Sequence, residues 1–139
     1  MILLDTNVVS DVSKPTPNPR VQAWLDAQDQ RALWISSITV AEICAGLATL
    51  PEGQRRSHLE GAFDHMMLRL GRACLAFDAL AGREYAAVMV ARRRRGRPIG
   101  ILDAQIAAIA LATGFRLATL NTRDFEGIDG LNVVDPSQG

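Results

Sequence analysis

The chain has 139 residues, of which 48% are hydrophobic and 22% are charged, values that suit one globular domain with its own core. Its 15 basic and 15 acidic residues balance, which excludes a global positive field that would attract nucleic acid or a membrane surface. No apolar stretch is long enough to span a bilayer, so we expect a cytoplasmic protein without a membrane partner.

The first predicted element is a short strand over residues 1–5, in which an apolar run leads directly into Asp5. A continuous apolar run is typical of a strand that is covered on both faces. The carboxylate at its end therefore lies near the interior, where a charge is costly unless something compensates it. A short helix over 6–13 follows, and the prolines within residues 14–20 end it.

The same alternation of helices and strands continues to the end of the chain. In order, the pattern predicts a helix over 19–29, a strand over 32–35, helices over 39–50 and 52–71, a strand over 73–77, helices over 79–95 and 101–114, a strand over 116–120, a turn over 121–127 and a strand over 132–134. Such alternation predicts an α/β fold with a short central parallel sheet flanked by helices in three layers. Cys44 and Cys74 lie in apolar surroundings, and we expect both to be reduced core residues.

Acids recur where predicted elements meet at one edge of this sheet. Asp5 ends the first strand, Glu42 lies one turn into the helix after the second, and Asp103 begins the apolar helix over 101–114. Asn121 and Asp124 follow the fourth strand. In parallel sheets, ligands bind at the carboxyl ends of the strands.

Each of these acids also has a purely structural interpretation. Asp5 fits a turn or helix cap, Asp103 an N-cap and Asp124 a turn, while Glu42 fits a capping box with Thr39. Together, however, carboxylates embedded in apolar sequence would repel one another and raise each other's pKa. A divalent cation resolves that conflict, and an all-oxygen ligand set indicates Mg²⁺ or Mn²⁺ rather than zinc.

Four blocks, LLDTNVV, SSITVAEICAGL, GILDAQIAAIALATG and LATLNTRDFEGI, resemble in order and spacing the PIN-domain ribonucleases. Within that family they resemble the VapC-type toxins of bacterial toxin–antitoxin pairs, including the FitB-like branch. The resemblance implies a single PIN domain over 1–139 and a metal-dependent endoribonuclease that cuts single-stranded or looped RNA. It also implies a homodimer, kept silent by a cognate antitoxin whose tail occupies the site.

By the same resemblance, Asp5, Glu42 and Asp103 are the metal-site acids, and Thr6 and Asn7 are the small polar pair beside the first of them. Direct bonds to the metal are expected from Asp5 and Asp103, whose side chains are short. Glu42 has one more methylene and could bind metal or orient the attacking water. Thr6 and Asn7 suit hydrogen bonds that fix the orientation of the carboxylates. Either one metal ion or two is compatible with these residues.

The fourth acidic position departs from the family pattern. Many members carry an acid where this chain has Asn121, and Asp124 comes three residues later. Positions three apart in a helical turn share a face, so we expect Asp124 to supply the catalytic charge and Asn121 to support it. The alternative is that Asp124 only stabilises the turn before Phe125.

A cluster of arginines ends the helix over 79–95, and its members are Arg92, Arg93, Arg94, Arg95 and Arg97. Guanidinium groups pair bidentately with phosphates, so these residues are candidates for binding the RNA substrate. Alternatively, they form a solvated helix end, where cations suit the helix dipole.

Two other classes of protein are alternatives to a nuclease: phosphoryl-transfer proteins and binding modules. A receiver domain would need a lysine late in the chain, whereas the only lysine is Lys14, and an aspartate-nucleophile phosphatase would need an acid in place of Asn7. A catalytically weak PIN-like module that binds RNA or protein is the closer alternative. Asn121 keeps this alternative open, whereas the three metal-site acids argue against it.

Overall fold

The computed structural model describes residues 1–70 and 73–139 and confirms the predicted alternation of strands and helices. The strands are β1 (Ile2–Leu4), β2 (Leu33–Ser36), β3 (Cys74–Leu75), β4 (Arg116–Ala118) and β5 (Val133–Val134). The helices are α1 (Thr6–Val12), α2 (Pro19–Asp26), α3 (Ser37–Ala48), α4 (Gln54–Leu70), α5 (Ala79–Arg94) and α6 (Ile101–Thr113). Short 3₁₀ turns cover Gln30–Ala32 and Thr122–Phe125. The predicted end of the fourth helix at Gly71 lies outside the described residues.

The five strands form one sheet in the order β3-β2-β1-β4-β5, and all paired strands are parallel. The central strand is β1, whose Ile2 lies between Leu33 of β2 and Arg116 of β4. From β1 the chain builds the sheet first toward β3 and then, on the other side, toward β5. The strand order therefore reverses between β1 and β4, and Asp5 directly follows β1 at that point, where parallel sheets bind ligands.

Helices cover both faces of the sheet, which confirms the three-layer architecture. On one face Leu3 and Leu117 pack in a core with Ile106 of α6 and with residues of α5. On the opposite face Leu4 packs in a second core with Val9 of α1 and with residues of α2 and α4. Because β1 is sandwiched between two cores, its run of apolar residues has no polar alternation.

The helix ends follow from local sequence. Helix α3 starts two residues earlier than predicted because Ser36 is its cap, with its hydroxyl accepting from the amide of Thr39. Helix α6 ends as predicted at Gly114, which takes the left-handed conformation at φ 69°, as C-terminal glycines commonly do. None of the helices in the described ranges is both long and apolar enough to cross a bilayer.

The prediction of core positions for the two cysteines is wrong. Cys44 and Cys74 are free thiols, as expected, but both are exposed. The inward side of α3 is formed by Val40, Ile43 and Leu47, which leaves Cys44 at the flank of that stripe. Cys74 lies on the two-residue edge strand β3. An apolar stretch of sequence does not reveal which of its residues a neighbouring element will cover.

Candidate metal centre

A cavity of about 370 Å³ opens at the carboxyl edge of the sheet. It brings together all four predicted acids and all three predicted supporting residues, along with two further side chains. Its lining consists of Asp5, Thr6, Asn7, Ser10, Glu42, Asp103, Asn121, Asp124 and Phe125. None of the five arginines belongs to this lining.

Asp5 is both a helix cap and the most buried acid of the cavity. Its side chain is 4% exposed; Oδ1 accepts from the amide of Thr6 at 2.7 Å and Oδ2 from the hydroxyl of Thr119 at 2.7 Å. Burial raises the pKa of Asp5, the two hydrogen bonds oppose that rise, and the charges of Glu42 and Asp124 add to it. The structural and the functional interpretation of this residue are therefore compatible, because one carboxylate serves in both.

Thr119 is a site residue that sequence reasoning missed. It is fully buried at the end of β4, and its hydroxyl accepts from Asn7 Nδ2 at 3.1 Å and from the amide of Asn121 at 3.1 Å. A hydroxyl has a single proton, and Thr119 gives it to Asp5. Asn7 in turn accepts from the amide of Leu120 at 3.1 Å. The signal was present in the sequence, since Thr119 interrupts the apolar part of the predicted strand over 116–120, two residues before Asn121.

Glu42 is oriented by a row of hydroxyl groups. Thr6 Oγ1 donates to Glu42 Oε1 at 2.8 Å and lies 3.1 Å from Thr39 Oγ1, which contacts Ser36 Oγ at 3.3 Å. Because Ser36 rather than Thr39 caps α3, the capping-box interpretation of Glu42 is wrong. Glu42 instead faces the cavity from the second turn of the helix.

Asp103 lies in the first turn of α6, where the N-cap is Gly100 and makes no side-chain cap bond. The N-cap interpretation of Asp103 is therefore wrong. Burial, and then the charges of Asp5, Asp124 and Glu42, raise the pKa of Asp103 to about 6. The amino end of a helix favours a negative charge there, so the crowding acts against this local preference.

Asp124 and Asn121 face the cavity together from the 3₁₀ turn after β4. Asn121 Nδ2 donates to Asp124 Oδ2, which orients the carboxylate and leaves the amide oxygen of Asn121 available. Phe125, the next residue, is 2% exposed and packs in the core.

The chemistry of this lining fits a hard divalent cation. Its donors are carboxylate, amide and hydroxyl oxygens, with neither histidine nor cysteine among the cavity residues. In the part of the chain that the structure describes, no three acidic, histidine or cysteine side chains already stand at metal-ligand spacing. The carboxylates therefore line one cavity without forming a closed set. Burial first, and then the neighbouring negative charges, raises the pKa of Asp5 and Asp103, and a cation would offset those charges.

The structure contradicts the prediction that Arg92 binds RNA. Its side chain is 5% exposed, and Nη1 donates to the main-chain carbonyl of Glu126. A guanidinium closed off from solvent cannot meet a phosphate. Arg92 lies on the inward side of α5 with Ala81 and Val88. A run of identical arginines in the sequence does not indicate which of them faces inward.

The other four arginines of the cluster are exposed. Arg95 and Arg97 pair with acids of residues 126–129, at 3.5 Å and 3.2 Å respectively. Arg93 and Arg94 lie on the open side of the last turn of α5. The predicted RNA surface is thus reduced to Arg93 and Arg94, with Arg95 and Arg97 beside them.

A larger groove of about 600 Å³ lies next to the acidic cavity, between α1, α3 and α4. It shares Thr6, Ser10 and Glu42 with that cavity. Leu47 and Leu59 give it an apolar floor. An apolar segment bound in the groove would therefore reach directly to the carboxylates.

The model of the PIN domain family matches residues 2–131. Plasmid stability protein StbB of Pseudomonas syringae pv. tomato is 44% identical over 98% of this chain and 98% of its own length. VapC ribonuclease Y4jK of Sinorhizobium fredii is 43% identical over 98% of this chain and 97% of its own length.

Solved structures agree with these relatives. The crystal structure of FitAcB from Neisseria gonorrhoeae superposes with a TM-score of 0.89 at 35% identity, covering 98% of both chains. The structural neighbours are toxin–antitoxin complexes of the FitAB and VapBC type. The chain therefore belongs to the PIN-domain family, in the branch of the VapC and FitB toxins.

Proposed function

We propose that this chain cuts RNA as the toxin of a toxin–antitoxin pair in the cytoplasm, with Mg²⁺ or Mn²⁺ held by Asp5, Glu42 and Asp103. The observation that carries the proposal is the convergence of four carboxylates in one cavity at the strand-order reversal. The relative named as a VapC ribonuclease supports RNA as the substrate class. As a PIN-domain nuclease, the chain is a hydrolase of phosphodiester bonds.

When bound, a divalent cation polarises a phosphoryl oxygen and lowers the pKa of water. The protein supplies orientation. Asp5 is held from two sides by Thr119 and the amide of Thr6, so its carboxylate has one preferred direction. Glu42, held through one oxygen by the Thr6 hydroxyl, keeps its other oxygen free to orient the attacking water or to accept its proton.

An antitoxin is the proposed occupant of the apolar groove. Because the groove shares Glu42 and Thr6 with the acidic cavity, a helix or tail with an apolar face can lie in it and place a basic side chain against the carboxylates. Such a contact would neutralise the acids that the cation otherwise offsets. Inhibition and metal binding would then compete for one set of charges.

A homodimer is proposed from large apolar side chains that the single chain leaves in water. Leu80 and Val90 of α5 are 62% and 48% exposed, and Ile101 and Leu102 at the start of α6 are 61% and 46% exposed. Exposed apolar groups on neighbouring helices mark an interaction surface. Helices α5 and α6 pack closely together, so a second copy could cover both.

The test of the proposed function is cleavage of a mixed RNA pool by the purified chain. We expect cleavage with Mn²⁺ or Mg²⁺, its loss in excess EDTA, and its recovery when Mn²⁺ is added back. Cleavage that persists in EDTA would contradict the metal requirement. If Mn²⁺ raises the melting temperature by mass action while no RNA is cut under any condition, the chain is instead a catalytically weak binding module.

Replacement of Arg93 and Arg94 together by Ala should weaken RNA binding and flatten its salt dependence. Each phosphate contact on single-stranded RNA contributes about 0.7 to the slope of log K against log salt, so two contacts should remove about 1.4. The matched control replaces Arg20 and Arg31, two exposed arginines elsewhere on the surface. Equal slopes for wild type and the Arg93/Arg94 variant would contradict RNA binding by the cluster and would favour the alternative, that these arginines only form a solvated helix end.

A further inference from the structure

The burial of Arg92 demands an explanation, because a guanidinium taken out of water is costly unless it is paired. Its Nη1 donates to the carbonyl of Glu126, yet its buried Nε has no hydrogen-bond partner within the described residues. No carboxylate of the described residues forms an ion pair with it. Without an ion-pair partner in the described part of the chain, the buried charge of Arg92 gains little electrostatic stabilisation. Its role therefore lies in the segment that its hydrogen bond holds in place.

What Arg92 holds is the far end of the turn that carries Asp124. Glu126 is the residue that directly follows the 3₁₀ turn Thr122–Phe125. The near end of that turn is already fixed, because Thr119 accepts from the amide of Asn121. Phe125 anchors its middle in the core.

The neighbouring arginines extend this contact along the same loop. Arg97 Nη1 bonds the carboxylate of Glu126 at 3.2 Å, and Arg95 lies 3.5 Å from Asp129. At Gly127, where φ is 74°, a Cβ would collide with Arg95 Nη1. The loop therefore passes close against the end of α5.

We propose that Arg92 is a positioning residue for the fourth acid: its bond to the Glu126 carbonyl braces the turn that presents Asp124 to the cavity. The inference rests on the proposed metal site and adds to it a residue outside the cavity. The end of α5 is then divided in function. Its buried arginine supports the acid set, and its exposed Arg93 and Arg94 remain available to RNA.

The experiment compares Arg92→Met with Arg83→Met, an exposed arginine of the same helix that loses the same charge. Mn²⁺ binding is followed by the electron paramagnetic resonance signal of free Mn²⁺, and RNA cleavage is followed against Mn²⁺ concentration. Loss of a residue that orients a metal ligand costs about tenfold or more in metal affinity. We therefore expect the half-saturating Mn²⁺ concentration to rise about tenfold in Arg92→Met and to stay unchanged in Arg83→Met. A purely structural role would lower the melting temperature at every Mn²⁺ concentration without moving the half-saturation point, and that result would overturn the inference.

A double mutant identifies the route of the effect. Asp124→Asn alone should weaken Mn²⁺ binding, with activity partly restored by excess metal. If Arg92 acts through Asp124, the variant that combines Asp124→Asn with Arg92→Met should bind Mn²⁺ as Asp124→Asn does alone, because coupled residues are not additive. Fully additive losses would overturn the inference.

Arg92→Lys covers the case in which Arg92→Met does not fold. Lysine keeps a donor but not the planar guanidinium, so its half-saturating Mn²⁺ concentration should lie above that of wild type; in a folded Arg92→Lys, an unchanged value would then overturn the inference. Intact Mn²⁺ binding without RNA cleavage in wild type would count against the proposed function alone. Equal Mn²⁺ binding by Arg92→Met and wild type would count against Arg92 alone.

Discussion

Asp103→Asn should abolish RNA cleavage, with a loss of at least about 100-fold, since even residues that only support a metal ligand are worth 10- to 100-fold in affinity or activity. The change is nearly isosteric and removes one charge from a crowded acidic cavity. Because burial and three neighbouring acids raise the pKa of Asp103 to about 6, its ionised form opposes folding at neutral pH. Without metal, the variant should therefore melt at the same temperature as wild type or higher.

Melting curves with and without Mn²⁺ separate the two effects of this substitution. Wild type should gain stability from Mn²⁺ by mass action, and Asp103→Asn should gain much less. Asp64→Asn is the control, because Asp64 is exposed on α4 and away from the cavity. A folded Asp103→Asn variant that cuts RNA nearly as well as wild type would show that Asp103 serves only the first turn of α6.

The second large effect should come from pH. The pKa of Asp103 is about 6 in the folded chain against the ordinary 3.8 of an aspartate side chain, and the pKa of Asp5 is raised as well. Protons and cations compete for these carboxylates. Lowering the pH from neutral to about 5 would leave Asp103 about nine-tenths protonated, so the affinity for Mn²⁺ should fall about tenfold from this residue alone.

Stability should respond to pH in opposite directions with and without metal. In the metal-free protein, the folded state binds more protons than the unfolded state between the two pKa values, so stability is greatest at low pH and falls as the pH rises through about 6. With saturating Mn²⁺, stability should instead rise over the same range. Melting temperatures from pH 4 to pH 8 test this, and Asp103→Asn should flatten the metal-free profile. Parallel profiles with and without Mn²⁺ would contradict a shared site.

The fold was predictable from sequence because it depends on patterns that are local. Strand β1 and helix α6 differ from the predicted ranges by only one residue at an end. Strand β3, predicted over 73–77, is reduced to Cys74–Leu75, since an edge strand extends only as far as its single neighbour pairs with it. The order of the strands in the sheet depends on which face of the sheet each connecting helix crosses. Local sequence patterns do not contain that information, so the strand order could not be predicted.

The acids of the site were predictable because carboxylates are rare in apolar sequence and stand out there. Thr119 and Arg92 were not, for a common reason. A threonine in a strand and an arginine in a run of arginines look ordinary, and their roles come from partners at a distance: Asp5 is 114 residues from Thr119, and Glu126 is 34 residues from Arg92. The prediction for the cysteines was wrong for a related reason. Their neighbours in the sequence are apolar, but both residues are exposed in the fold.

The hydrogen bond between Thr119 and Asp5 also determines when, during synthesis of the chain, the active cavity can first form. The central strand is made first, yet its partner β4 and the hydroxyl that orients Asp5 come from the last quarter of the chain. Pairing between such distant segments must wait for everything in between. A ribosome that is still making this protein therefore carries a chain without an assembled cavity. The site acids that have already been synthesised cannot cut RNA until synthesis has passed Thr119 and the turn Thr122–Phe125 that follows it. The topology itself delays the activity until the segment that carries β4 and Thr119 has been made.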